Sequence, residues 1–300
     1  MNWKLSRLAA AASILAASSA WAGDPFFFST GDPDGRIGTA SRPDVPSGAE
    51  VESADDFVLG QATTITSATF TGLLAATTGL PTVGEVTVEI YRVFPLDSNV
   101  GRTSGPPTFS TPQVPTRVNS PSDAAFMARD SSAVGELTFS TLVLSASFMA
   151  ANSVAAAGIH PIPGQHSGGN GPVTGQEVQF TVSFTDPLVL PADHYFFVPQ
   201  VQVTGGDFYW LSTPRPITPP GTPFPSGPTD LQSWIRDAAL DPDWLRIGTD
   251  ITGQGPFNAA FSLTGTVASV PEPQIGTSLL LGLAAVGAFV RRRRGAGPRR

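Results

Sequence analysis

The sequence predicts an all-β body, an antiparallel β-sandwich with a jelly-roll-like arrangement, set between an N-terminal signal helix and a C-terminal single transmembrane helix. Three observations predict it. Apolar residues alternate with period two across several segments, which places one face of each in a core. Gly and Pro, 31 and 29 of 300 residues, punctuate those segments with turns. Only one short stretch reads as a helix outside the two termini.

Taken in order, the chain opens with Lys4 and Arg7, then the apolar run Leu8–Ala17, then Ala20-Trp21-Ala22. A positive start, a short apolar run and an A-x-A site form a secretory signal, cut by signal peptidase after Ala22. Residues 1–22 are therefore assigned to export and residues 23–268 to the sandwich.

Within the body, strands are expected at Phe26–Ser29, Asp56–Leu59 and Ile65–Leu73. The alternations Val86-Val88-Ile90 and Val178-Phe180-Val182-Phe184 give two more, and Gly135–Leu144 another. Tyr195-Phe196-Phe197-Val198 is apolar on both parities and reads as a central strand covered on both faces. Phe208–Ser212 follows. Phe257, Ala259, Phe261, Leu263 and Val267 share one parity in the last strand region. A short helix is expected near Leu231–Ala239, with Asp230 as its N-cap. The Pro-rich stretches 101–122 and 214–228 are expected to be long loops, because proline cannot donate to a ladder.

The body contains nine arginines and no lysine against twenty-three carboxylates, a formal charge of −14 that the whole-chain value of −7 conceals. Such a body is unsuited to nucleic acid or anionic lipid. There is no cysteine, so neither disulfides nor thiol chemistry contribute. About 248 residues suffice for one ordinary hydrophobic core.

Candidate chemistry is sparse. Gln165-His166-Ser167-Gly168-Gly169 approaches the G-x-S-x-G nucleophile elbow, but Gln165 replaces the first glycine and Pro and Gly flank it where the elbow needs a strand and a helix. His160 and His166 share that loop and could meet at a metal, and His194 begins a strand; catalytic zinc needs three protein ligands and an open fourth position, and chance surface and strand-end histidines explain all three more simply. Asp32-Pro33-Asp34-Gly35 and Asp241-Pro242-Asp243 offer hard oxygens of the kind calcium takes, and Asp55-Asp56 could join such a site. Asp before Pro or Gly is equally good turn chemistry, and Asp55-Asp56 equally a pair of acceptors for backbone N–H groups. Trp210, Trp234 and Trp244, with Tyr209, are the candidates for stacking on sugar rings, which would make the body a carbohydrate-binding module or adhesin with extracellular polysaccharide as partner. No catalytic constellation and no cofactor site emerges beyond the possible structural calcium at Asp32 and Asp34, so a non-enzymatic protein is expected.

The last residues are the most specific. Val270-Pro271-Glu272-Pro273 precedes an uncharged apolar run, Ile275–Val290, and then Arg291-Arg292-Arg293-Arg294. As a helix the run is about 24 Å long against a hydrocarbon core of about 30 Å, short but tolerable with flanking arginines that snorkel. The arginines stay on the cytoplasmic side, so the body lies outside. Triplet, span and basic cluster together resemble the PEP-CTERM sorting signal of Gram-negative bacteria. The resemblance implies recognition at 270–300 by an exosortase, a membrane transpeptidase-like enzyme, with cleavage near the triplet and delivery to the cell surface or extracellular matrix. Glu52-Ser53-Ala54-Asp55-Asp56-Phe57-Val58-Leu59, followed by Thr64-Ile65-Thr66, resembles the "ADDF" opening of secreted bacterial β-sandwich domains often found in such proteins. Asp230–Arg236 and Asp243–Gly248 resemble them too. That resemblance implies the fold and leaves the activity of the body open.

Overall fold

The computed structural model describes residues 23–44, 48–99, 118–160, 166–240 and 244–268. Fifteen strands follow in order: β1 (Pro25–Ser29), β2 (Ile37–Ala40), β3 (Val51–Leu59), β4 (Thr63–Ala76), β5 (Thr82–Arg92), β6 (Met127–Asp130), β7 (Leu137–Ala150), β8 (Asn152–Val154), β9 (Val173–Leu190), β10 (Asp193–Thr204), β11 (Gly206–Thr213), β12 (Trp234–Asp237), β13 (Leu245–Arg246), β14 (Asn258–Ala259) and β15 (Phe261–Val267). Among the described residues no helix is long and apolar enough to cross a membrane. The expected signal helix, the span Ile275–Val290 and most of the 101–122 loop lie outside the described residues.

Two sheets face each other. The six-stranded sheet runs β13–β12–β3–β10–β5–β6. The nine-stranded sheet is built on β4. One edge of β4 carries β9 and then β7; the other carries β15 along its first half and β11 along its second. β1 extends the sheet beyond β15, while β2 and β8 extend it beyond β11. All pairings are antiparallel except β2 with β8. The ribbon β3–β4 is matched to the ribbon β10–β9, so strands distant in sequence close the sandwich.

Gly72 sits where the neighbour of β4 changes from β15 to β11. A Cβ there would lie 2.6 Å from the Tyr209 carbonyl oxygen and would also overlap the Phe208 ring. Its bare backbone lets that ring close over the junction. Phe208 in turn meets Phe70 and Phe180 edge-on at 5.8 and 5.5 Å.

The main core fills the space between the sheets. Phe70 and Phe180 stack at 4.8 Å within one sheet, and Phe197 stacks on Phe261 at 5.1 Å across the gap. A second apolar layer covers the outer face of the six-stranded sheet, made by Ala54, Tyr91, Phe196, Val198, Leu231, Trp234 and Trp244. This explains the unbroken apolar run in β10. Tyr195 and Phe197 point inward, Phe196 and Val198 outward, and all four are fully buried. Strands and core clusters alike belong to a single compact unit, Asp24–Ala268.

One expected element is wrong. The stretch Leu231–Ala239 is not a helix: β12 pairs along β3, and only a 3₁₀ turn, Ala238–Leu240, follows. So short a segment gains little from helix formation, and the open edge of β3 offers it a ladder. Asp230 therefore caps no helix; its carboxylate sits 3.6 Å from the Arg215 guanidinium. The 214–228 stretch is strand-free coil, as proline content dictates.

Candidate functional site

β3 concentrates carboxylates on both of its faces, and two polar clusters grow from it. Asp55 points inward with Phe57. Its Oδ1 accepts from Ser233 Oγ at 2.8 Å and its Oδ2 from the Ala259 N–H at 2.9 Å, tying β14 and the start of β12 to the strand. Asp56 points outward. Its Oδ2 accepts from the Leu231 N–H at 3.0 Å and lies 2.6 Å from His194 Nε2. Burial raises both carboxyls well above the usual range, with the neighbouring Asp56 charge adding to the effect on Asp55. Burial pushes His194 down to about 4, so at neutral pH the imidazole is uncharged and the contact is a hydrogen bond. The Asp-Asp pair thus holds β14 and the coil before β12 to β3 through backbone N–H groups.

The second cluster lies farther along the outer face. Arg236 on β12 forks onto Glu52: its Nε donates to Oε2, and Nη2 donates to Oε1 at 3.0 Å and to Tyr91 Oη at 2.8 Å. Tyr91 donates to Glu52 Oε1 at 2.5 Å. The guanidinium also lies over the rings of Trp244 and Tyr91, 4.7 and 5.2 Å from their centroids. Glu50 and Glu89 complete the group; with Glu52 they place carboxylate oxygens within 4.8 Å of one another. Burial and then the Glu52 charge push Glu89 up to about 8, and burial also raises Glu50. Gln200 Nε2 donates to Glu50 Oε1 at 2.7 Å. A cation entering here would have to compete with Arg236 for Glu52, whose two oxygens are already engaged. The arrangement clamps β12 and Trp244 onto the sheet.

The residues singled out from sequence are not gathered into one site. Trp210, Trp234 and Trp244 are each 1 % exposed, which overturns their assignment as a sugar-stacking platform. They sit in the two apolar layers, where a large ring gains most from burial. Trp210 Nε1 donates to the Ala260 carbonyl at 2.8 Å and Trp244 Nε1 to the Ser122 carbonyl at 3.0 Å. Tyr209, next to Trp210 in sequence, is buried as well. Asp34 Oδ1 accepts from the Arg36 N–H at 2.9 Å and from Ser212 Oγ at 2.5 Å, which is turn chemistry, while Asp32 is exposed. Among the described residues neither belongs to a group of three metal-ligating side chains, and neither do His160, His166 and His194. His166 and Ser167 are exposed in coil, and coil continues after them to Pro172 where a nucleophile elbow requires a helix. Asp241, Asp243 and Gln165 lie outside the described residues.

Glu52, Glu89, Tyr91 and Arg236 escaped the sequence reading. Glu89 belongs to a clean alternation that puts it on the face opposite the core, where a charge is unremarkable. Only the second apolar layer turns that face inward.

The signals at the two ends, Ala20 and Ala22, Val270-Pro271-Glu272-Pro273 and Arg291–Arg294, also lie outside the described residues. There the decisive observation comes from sequence comparison. Residues 269–294 match the PEP-CTERM protein-sorting motif. The match supports an exported chain with a membrane-anchoring PEP-CTERM signal at its C-terminus, of the kind an exosortase recognises. No curated protein and no solved structure matches the chain.

Proposed function

We propose that this chain is a non-catalytic cell-surface or extracellular-matrix protein. Signal peptidase removes residues 1–22, the PEP-CTERM tail holds the body outside the cytoplasm, and an exosortase-like enzyme then cuts near Pro271-Glu272-Pro273 and releases it. The observation that carries this reading is the sorting motif at 269–294 behind a body of one compact β-rich unit. The carboxylates and histidine of the outer face support it, since their partners are loops and strands of the same chain. Burial of all three tryptophans weighs against the adhesin alternative.

The test is a pair of fusions expressed in a host with an exosortase, one complete and one lacking Pro271–Arg300. The complete chain should fractionate with the membrane and then appear outside the cell with a C-terminus, read by mass spectrometry, near the triplet. The truncated chain should never enter the membrane fraction. Membrane association that survives the truncation would overturn the reading.

A further inference from the structure

β7 is the outermost strand of the nine-stranded sheet, paired among the described residues only with β9. Its fourteen residues, LTFSTLVLSASFMA, include no charge, no proline and no glycine. Natural edge strands are normally protected by charges, prolines or a covering segment, because a row of unpaired N–H and C=O groups is a template for another strand. Bulges interrupt the far half, between Val143 and Ser145 and between Ser145 and Phe148. The near half, Leu137–Val143, is regular. Apolar side chains stand in solvent at its end, Leu142 at 60 % and Val143 at 52 % exposed, and beyond it Leu144 at 47 % and Met149 at 58 %. Val143 faces the same side as its partner Val178, which is 1 % exposed, so the inner face of the sheet runs out past the cover of the six-stranded sheet.

We infer that β7 pairs antiparallel with β7 of a second copy of this chain, about a two-fold axis through Thr141, joining two nine-stranded sheets into one. The occupant follows from the strand's own sequence. Centred on Thr141, antiparallel pairing sets Phe139 against Val143 of the other copy and Thr141 against its own counterpart on the inner face. Aromatic–β-branched and Thr–Thr pairs are favourable cross-strand neighbours. On the outer face the same register sets Ser140 against Leu142. A two-fold pairing is closed, so it yields dimers and leaves no new edge to propagate. Charge argues the same way. A body at −14 repels its own kind over most of its surface, and six of its nine arginines are already in ion pairs within the chain. The neutral edge is where a second copy can approach. The dimer concerns the body alone and stands or falls separately from the sorting reading.

The absence of cysteine makes the register testable in the 24–268 body, which contains the entire described core. Directly opposed residues of an antiparallel pair lie about 4.5–5.5 Å apart at Cα, within disulfide reach. Light scattering should give twice the monomer mass at tens of micromolar protein, falling to monomer in Thr141→Lys with an unchanged far-UV circular dichroism spectrum. Under mild oxidation Thr141→Cys should form a covalent dimer. Ser140→Cys alone should not, whereas an equimolar mixture of Ser140→Cys and Leu142→Cys should. A monomer at every concentration, or equal cross-linking by Ser140→Cys and Thr141→Cys alone, would overturn the inference.

Discussion

Replacing Glu89 by Gln should stabilise the protein, and by more as the pH rises. Glu89 shares a partly buried group with Glu50 and Glu52, and Arg236 is the cation hydrogen-bonded to that group. Burial and the Glu52 charge raise its carboxyl from 4.5 to about 8. The folded state therefore keeps a proton that the unfolded chain has lost above 4.5. The contribution is full below that value and declines as the pH climbs to 8, because deprotonation there puts a further negative charge beside Glu52. At about 1.4 kcal/mol per pH unit the interval sets a ceiling of roughly 5 kcal/mol, and proton sharing among the carboxyls reduces the realistic loss to about 2–3 kcal/mol. For a body of this size that is on the order of 5–10 °C in Tm. Gln mimics the protonated acid and has nothing to lose. Thermal melts of the 24–268 body between pH 5 and pH 9 should show the wild type losing about 5–10 °C more than Glu89→Gln. The raised carboxyls outside this group, Asp55, Asp56, Glu85, Glu177 and Asp230, contribute to both profiles and cancel in the comparison. Parallel profiles would refute the idea that Glu89 stores a proton in the native state.

Two further substitutions test the clamp and the sheet junction. Arg236→Ala leaves Glu52, itself 1 % exposed, without its cation, and should cost about 3–5 kcal/mol in urea unfolding at pH 7. Gly72→Ala drives a methyl against the Tyr209 carbonyl and the Phe208 ring; since backbone cannot step aside, a loss near 3 kcal/mol is expected from the shift in urea midpoint.

Much of the fold was legible because it rests on local patterning. The alternations in β5, β9 and β15 put Val88, Phe180 and Leu263 in the core as expected, and the run Tyr195–Val198 announced a strand covered twice. The short strands β2, β6, β8 and β13 left no trace in the sequence, because two to four residues such as Ile37–Ala40 contain too little pattern to count. β12 was misread for a related reason. Trp234-Ile235-Arg236-Asp237 reads as amphipathic in either period, and only the free edge of β3 decides between them. The tryptophans failed as ligand candidates because sequence cannot tell an exposed ring from one under a second layer.

The sequence alone determined the period-two core, the acidic and cysteine-free character of the body, and the sorting motif at 269–294, which is written in contiguous residues and needs no fold to be read. The tertiary structure alone decided what the carboxylates of β3 do. Glu52 meets Arg236 across 184 positions and Asp55 meets the Ala259 N–H across 204. It also decided that β7 ends a sheet. Whether a strand is central or at an edge depends on which distant segments pair with it, and no window of its own sequence contains that information.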